Sequence, residues 1–256
     1  MRHGGNLTTF CNFDNPKKDP RLFSSVDYWG TTDEFKKRIG LEDKRINIAD
    51  YLHETFPTVG AFNRTGLARL FKTLGFKKGA EVGVKMGLYS KVLCEENPDM
   101  NLKSIDPWTM TPNIGWDAQE ETFRMAIKNL SPFNAEIIRK TSMQAAAEDI
   151  PKWSLDFVYI DADHSFNHVM QDIITWSDRV RPGGIVSGHD YDDIDVKTAV
   201  DAYVRIHGYE LFTTLVQRTV RPMIEIDNSN PVYPSKMIET DLASSWFFAK
   251  PIKESE

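Results

Sequence analysis

The sequence predicts an α/β protein whose sheet is doubly wound and mainly parallel. Short apolar segments of strand length alternate with amphipathic segments of helix length from residue 63 to residue 207. This alternation is typical of parallel sheets that are connected by crossover helices. A glycine turn joins the first strand to its helix. Polar residues follow successive strands, at the sheet edge where ligands bind in such folds.

Each strand is predicted from a short apolar run bounded by turn residues. The clearest is 155–161, where Phe157, Val158 and Ile160 form a segment apolar enough to be buried on both faces. The predicted strands cover residues 80–84, 102–106, 135–139, 155–161, 185–190, 209–216 and 244–250, with a further short strand at 223–226.

The helices are predicted from apolar residues that recur at intervals of three or four. The first begins near Asn63, carries Leu67, Leu70 and Phe71 on one face, and ends at Gly75, a common helix terminator. The other predicted helices cover residues 88–96, 117–130, 142–149, 166–180 and 196–207, and a turn covers 181–184.

The chain divides into an N-terminal extension, residues 1–60, and a main domain, residues 61–256. The extension shows no sustained period and a turn-rich stretch at 15–20, but it carries many aromatic residues. So many aromatic side chains are not expected in a free tail. Two interpretations stay open: a segment wrapped on the main domain, or a lid or substrate wall.

Composition excludes several classes of function. The 256 residues carry a net charge of −6 and no long basic run, which disfavours a nucleic-acid partner. No apolar run approaches the roughly 20 residues of a membrane span, and the N-terminus is polar rather than a secretory leader. The two cysteines, Cys11 and Cys94, do not form a disulfide framework. We therefore expect a cytoplasmic protein with no membrane partner, and its state as a monomer or homo-oligomer stays open.

The glycine turn and an acid one strand later indicate a nucleoside cofactor. The turn contains Gly83 and Gly87 but lacks the middle glycine of a dinucleotide-binding fingerprint, which argues against a pyrophosphate at this position. Asp106 ends the second strand, where a carboxylate can bind both hydroxyls of a ribose. Enzymes that use nicotinamide and enzymes that use S-adenosylmethionine share this feature. The alternative for Asp106 is a helix cap or a solvated strand end.

Four segments together resemble, in order and spacing, the class I S-adenosylmethionine-dependent methyltransferases. These segments are residues 81–87, 105–108, 156–166 and 181–191. The resemblance is greatest to the branch that contains macrolide-sugar and aminocoumarin O-methyltransferases and, more distantly, catechol O-methyltransferase. It extends over about residues 63–250, and it implies a Rossmann-like sheet of seven strands whose last strand is antiparallel.

The resemblance also implies which residues bind the cofactor. It places the methionine part beside Glu81 and Gly83, with the methionine carboxylate near Tyr89 and Ser90. It places the ribose on Asp106 and the adenine beside Ser142 and Met143. It also allows Trp108 to cover the adenine or the substrate, although a packed loop aromatic is an equal alternative. The implied cofactor-binding residues are Glu81, Gly83, Gly87, Tyr89, Ser90, Asp106, Trp108, Ser142, Met143 and Asp161.

The chemistry is expected after the fourth and fifth strands. Asp161 and Asp190 are the predicted metal ligands, because magnesium prefers carboxylate oxygens. The related enzymes carry an acid and then an amide after the fifth strand. This chain has His189 before Asp190, so a third ligand stays unassigned. His164 is the first candidate for general base and His189 the second, since histidine titrates near neutral pH.

These observations favour a methyltransferase that acts on a small-molecule hydroxyl, of a sugar or a phenol, with S-adenosylmethionine and Mg²⁺. Two alternatives belong to other classes. A nicotinamide-dependent oxidoreductase agrees with the sheet and Asp106, but the missing glycine and the absence of a Tyr-x-x-x-Lys pair near strand five speak against it. A non-catalytic cofactor-binding protein is the second alternative. The many ionisable groups after the fourth and fifth strands argue against it, because burying such groups is costly unless they have a function.

Overall fold

The structure is a computed structural model of the chain, and it describes residues 63–110, 115–214 and 243–250. The predicted N-terminal extension and the short strand predicted at 223–226 lie outside these described residues. Six helices and seven strands alternate along the described chain. The helices are α1 (Arg64–Thr73), α2 (Leu88–Glu96), α3 (Trp116–Leu130), α4 (Ser142–Glu148), α5 (Phe166–Ser177) and α6 (Ile194–His207).

The strands form one sheet in the order β3-β2-β1-β4-β5-β7-β6. Their bounds are β1 (Lys78–Val82), β2 (Asn101–Ile105), β3 (Ala135–Ile138), β4 (Leu155–Ile160), β5 (Val180–Gly188), β6 (Phe212–Thr213) and β7 (Trp246–Ala249). The first five strands are parallel, and β7 lies antiparallel between β5 and β6. The predicted fold class, a mostly parallel seven-stranded sheet with a final antiparallel strand, is confirmed.

The chain reverses its direction of winding between β1 and β4, which lie side by side at the centre of the sheet. The helices therefore cover both faces. In β4, Val158 and Ile160 pack with α4, α5 and α6, whereas Phe157 and Tyr159 pack with α1 and α2. Alternation of side chains along a strand produces this division. In open sheets of this kind the ligand crevice lies beyond the carboxyl ends of the strands at the reversal.

Among the strands beside the sheet reversal, β1 and β5 depart most from their predicted bounds. β1 begins and ends two residues earlier than predicted, so Gly83 lies just beyond the strand rather than inside it. β5 begins at Val180 and continues through the predicted turn at 181–184. Gly184 makes this possible, because a side chain there would overlap the carbonyl of Asp156 on the adjacent strand. His189 and Asp190 therefore follow the strand rather than end it.

Within the described part of the chain, no helix has both the length and the apolar character needed to cross a membrane.

Candidate active site

A cavity of about 1100 Å³ opens at the carboxyl ends of the central strands. It extends across the sheet edge, from the α1–α2 side to the α4–α5 side. Seven of the ten residues expected to bind the cofactor line it: Glu81, Gly83, Tyr89, Asp106, Ser142, Met143 and Asp161. The remaining three, Gly87, Ser90 and Trp108, do not.

The glycine turn after β1 is shaped by contacts with other parts of the protein. Gly83 has a φ of +90°, and a Cβ atom there would overlap the carbonyl oxygen of Asp161. Gly87 is left-handed at the start of α2, and its Cβ position lies 3.3 Å from Cα of Ala126 in α3. Both glycines are thus required by backbone conformation and close packing. We expected Gly87 at the cofactor, but its small size serves helix packing.

Glu81 is a buried acid at the floor of the cavity, with only 2% of its surface exposed. Its carboxylate accepts a hydrogen bond from the Ser90 hydroxyl, which also lies 2.8 Å from the Ser104 hydroxyl. Burial is the main reason that the pKa of Glu81 rises to about 8, and the hydrogen bond from Ser90 only partly opposes it. At neutral pH, and without a cation in the cavity, the Glu81 carboxyl therefore keeps its proton or shares it with a neighbouring group.

Ser90 corrects one expectation, because it is fully buried behind Glu81 and does not reach the cavity. Its position orients the Glu81 carboxylate. Tyr89, the other residue expected near the methionine carboxylate, does line the cavity, and its hydroxyl donates to the Arg64 carbonyl at 2.9 Å.

Asp106 accepts three backbone hydrogen bonds. Its Oδ2 accepts from the amides of Val84 and Lys85 at 3.0 and 2.9 Å, and its Oδ1 accepts from the amide of Trp108 at 2.8 Å. These contacts hold the loop after β1 against the end of β2. Oδ2 already accepts two hydrogen bonds and Oδ1 accepts one, so Oδ1 of this fixed carboxylate can still accept a hydrogen bond from a ribose hydroxyl.

Trp108 also departs from expectation. Its indole is 1% exposed and packs on Phe123 with a ring separation of 4.8 Å, and its Nε1 donates to the Lys85 carbonyl. Its backbone has a φ of +44°, which turns the side chain under the loop. The packed-aromatic alternative describes this residue, and it does not cover a ligand in the cavity.

Asp161, His164 and Asp190 form the polar centre of the cavity. One potential ligand atom from each lies within 4.8 Å of the others. His164 Nε2 is 3.1 Å from Asp190 Oδ2 and 3.8 Å from Asp161 Oδ1. The neighbouring carboxylates of Asp161 and Asp190 raise the pKa of His164 above its ordinary value, although burial opposes them. The structure thus brings together residues from the ends of two adjacent strands that are far apart in sequence.

His189 lies behind this group. Its Nδ1 is 3.2 Å from Asp190 Oδ2 and 3.7 Å from Asp161 Oδ2, and only 13% of its side chain is exposed. Although burial opposes it, the hydrogen bond from His189 and the charges of His189 and His164 hold the pKa of Asp190 below its usual range. Asp190 therefore remains anionic between two imidazoles.

Sequence comparison identifies the domain that carries this cavity. The family model of a methyltransferase domain matches residues 80–191, from β1 to the residue after Asp190. The chain carries a class I, S-adenosylmethionine-dependent methyltransferase domain. The hypothesis of a nicotinamide-dependent oxidoreductase is set aside by this match. Among curated proteins, no sequence matches the chain.

Solved structures share the fold of the methyltransferase domain. A putative caffeoyl-CoA O-methyltransferase from Staphylococcus aureus is similar with a TM-score of 0.50 and 15% identity, over 84% of this chain and 99% of that one. The O-methyltransferase TomG from Streptomyces achromogenes, solved with S-adenosylmethionine, has a TM-score of 0.50 and 14% identity, over 83% of this chain and 95% of that one. At this identity the likeness concerns the fold.

Two charged residues outside the predicted site, Arg64 and Asp172, also line the cavity of the methyltransferase domain. Arg64, at the start of α1, lies over the Tyr89 ring at 5.3 Å and brings a positive charge to the α1–α2 side. Asp172, in α5, is 5% exposed and lies on the opposite side beside Ser142. Asp172 lies on the apolar face of its helix. An acid in that position could have been identified from the sequence as a candidate site residue.

Proposed function

We propose that the methyltransferase domain transfers a methyl group from S-adenosylmethionine to a hydroxyl oxygen of a small molecule, of the sugar or phenol class, with the assistance of a divalent cation. The observation that carries this proposal is the group formed by Asp161, His164 and Asp190, which opens into the same cavity as Glu81 and Asp106. A cofactor cradle and a cluster of oxygen and nitrogen ligands thus share one space.

The distribution of charge supports one orientation of the cofactor. Its methionine part carries an ammonium and a carboxylate, and the α1–α2 side of the cavity offers Glu81 and Arg64. Its ribose suits the fixed carboxylate of Asp106, which follows β2 beside the central pair of strands and keeps one acceptor site on Oδ1. The adenine is then left for the α4–α5 side, where Pro107 and Met143 offer apolar surface to a flat ring.

The donor set fits a divalent cation. Asp161 and Asp190 are carboxylates, the ligands that magnesium prefers, and they lie on adjacent strand ends. His164 offers a nitrogen in the same group, which makes it a candidate for the ligand that sequence analysis left unassigned, a role that is an alternative to the role of general base. When bound, a divalent cation lowers the pKa of a coordinated hydroxyl and orients its oxygen. That chemistry suits an oxygen acceptor, as in the O-methyltransferases with a similar fold.

The proton of the acceptor hydroxyl needs a base. His164 is our choice, because 45% of its side chain is exposed, whereas His189 is only 13% exposed and faces the two carboxylates from behind. Asp161 and Asp190 orient the His164 ring through its Nε2. Proximity and orientation of the acceptor and the sulfonium methyl supply the larger part of the acceleration.

Binding and turnover test the two parts of this proposal separately. Millimolar S-adenosylhomocysteine should raise the melting temperature of the full chain by several degrees, whereas NAD should not, because only a ligand that binds the folded state stabilises it. With an acceptor found on a panel of sugars and phenols, excess chelator should abolish transfer, and added Mg²⁺ should restore it. Absence of a shift contradicts the cofactor assignment, and full turnover in chelator contradicts the metal.

A further inference from the structure

Asp172 is an acid placed where an apolar residue would be expected. It lies in α5 among Val169, Ile173 and Trp176, and it is 95% buried, since its exposed fraction is 5%. Its remaining exposed surface belongs to the wall of the cavity. A carboxylate in such a position is costly unless it has polar partners or binds a ligand.

One oxygen of this carboxylate has a partner whose orientation is determined. The indole Nε1 of Trp176 can only donate, and it donates to Ser142 Oγ at 2.8 Å. The hydroxyl proton of Ser142 is then directed to Oδ1 of Asp172, and this contact is present. The relay from Trp176 through Ser142 therefore fixes both the rotamer of Asp172 and the role of Oδ1 as an acceptor.

The other oxygen, Oδ2, has no donor within hydrogen-bond distance in the described parts of the chain. Oδ2 is nevertheless not fully buried, because the fully buried side-chain polar atoms without a partner in the described chain belong to other residues. A nearly buried carboxylate thus presents one free acceptor to the cavity. Ser142, whose proton is engaged by Asp172, is not available as a donor to a ligand there.

We propose that Asp172 recognises the exocyclic amino group of the cofactor's adenine and makes the domain selective for adenine over hypoxanthine. This inference rests on the proposed function, in which the adenine occupies the α4–α5 side of the cavity beside Met143. An amino group donates to the free Oδ2, whereas the carbonyl oxygen of hypoxanthine at the same position would face a carboxylate and repel it. Rejection of an analogue that leaves a buried polar group unpaired is a strong source of selectivity.

The charge of Asp172 is suited to this role. Burial raises the pKa of its carboxyl to about 6, despite the hydrogen bond from Ser142. The group is therefore still ionised at neutral pH. A charged acceptor forms a stronger hydrogen bond with an amino group than a neutral one does.

The first test needs no substitution. Calorimetric titration of the full chain at pH 7.5 with S-adenosylhomocysteine and with S-inosylhomocysteine should show that the adenine compound binds about 10- to 100-fold more tightly, the range expected for one charged hydrogen bond. Equal affinity for the two compounds would overturn the role of Asp172 while leaving the proposed cofactor intact. Absence of binding by both compounds would overturn this inference together with the proposed function.

The second test is Asp172→Asn. Because Ser142 donates to the atom at the Oδ1 position, the amide oxygen of the new side chain should occupy that position and the amide nitrogen should face the cavity. We expect the preference to invert, with weaker binding of S-adenosylhomocysteine and tighter binding of S-inosylhomocysteine. Asp178→Asn is the matched control, since Asp178 is an exposed acid at the end of the same helix that pairs with Lys152.

The control variant should keep the wild-type preference. An Asp172→Asn protein that keeps the wild-type preference as well would contradict the inference, whatever its stability. An Asp172→Asn protein that fails to fold leaves the decision to the first test, which uses the unmodified chain.

Discussion

Gly83 packs directly against the carbonyl group of Asp161, so the glycine turn after β1 and the acid after β4 share one contact. The amide of Gly83 also donates to the Ile105 carbonyl at 2.9 Å, and the amide of Asp161 donates to the Val82 carbonyl at 2.7 Å. The three central strands therefore end in one hydrogen-bonded unit. The proposed cofactor cradle and the proposed reaction centre cannot shift independently.

Gly83→Ala should destabilise the protein severely. A methyl group would overlap the Asp161 carbonyl, and the φ of +90° is unfavourable for any residue with a Cβ atom. Gly208→Ala is the matched control, because Gly208 is also left-handed, with a φ of +67°, but has open space around its Cβ position. We expect Gly83→Ala to lower the free energy of unfolding by at least ~2 kcal/mol more than Gly208→Ala, as measured in urea. Equal losses would show that the contact with Asp161 has no energetic cost.

Asp190→Asn should weaken binding of Mn²⁺ or Mg²⁺ by about 100-fold, since it removes a charged ligand of the proposed site. Asparagine tolerates the left-handed backbone of this position, where φ is +54°, so the fold should be kept. Calorimetric titration with the metal alone measures the effect. Asp195→Asn, an exposed acid at the start of α6, serves as control and should bind metal as the wild type does. Unchanged affinity in Asp190→Asn would remove Asp190 from the metal site.

His164→Ala separates the two roles open to His164. If His164 is the general base, its loss should lower kcat by about 100-fold or more, while metal and S-adenosylhomocysteine bind with unchanged affinity. If His164 is a metal ligand, its loss should weaken metal binding as well. His207→Ala, at the far end of α6, is the control. Wild-type kcat in His164→Ala would exclude both roles and direct attention to His189.

Glu81 should make the stability of the ligand-free protein depend on pH. Its carboxyl has a pKa of about 8 in the folded state against an ordinary value of 4.5, so the folded state holds a proton that the unfolded chain releases between these values. Stability should therefore fall as pH rises across this window.

Glu81→Gln should remove this contribution, because a neutral amide does not titrate. The free energy of unfolding of Glu81→Gln relative to wild type should increase by on the order of 2 kcal/mol between pH 5.5 and pH 7.5. Denaturation in urea at the two pH values measures it. Glu148→Gln, which changes an exposed acid of α4, should show no such trend. A constant difference across the window would contradict the raised pKa of Glu81.

The sequence by itself determined the order of elements and the sheet edge at which the site lies. Periodicity and turn residues are local properties, and they predicted the seven strands and the acids that follow them. Parallel strands bring their carboxyl ends to one edge, so the sequence alone predicts that Asp106, Asp161 and Asp190 lie at the same edge.

Only the tertiary structure decided which side chains face the cavity. Ser90 and Trp108 belong to the predicted segments, but packing turns Ser90 behind Glu81 and Trp108 under its own loop. Arg64 and Asp172 come from helices that no motif marked, and the packing of α1 and α5 on opposite faces of the sheet brings them to the two sides of the cavity. The direction of a side chain depends on contacts between segments far apart in the chain, and local sequence patterns do not contain that information.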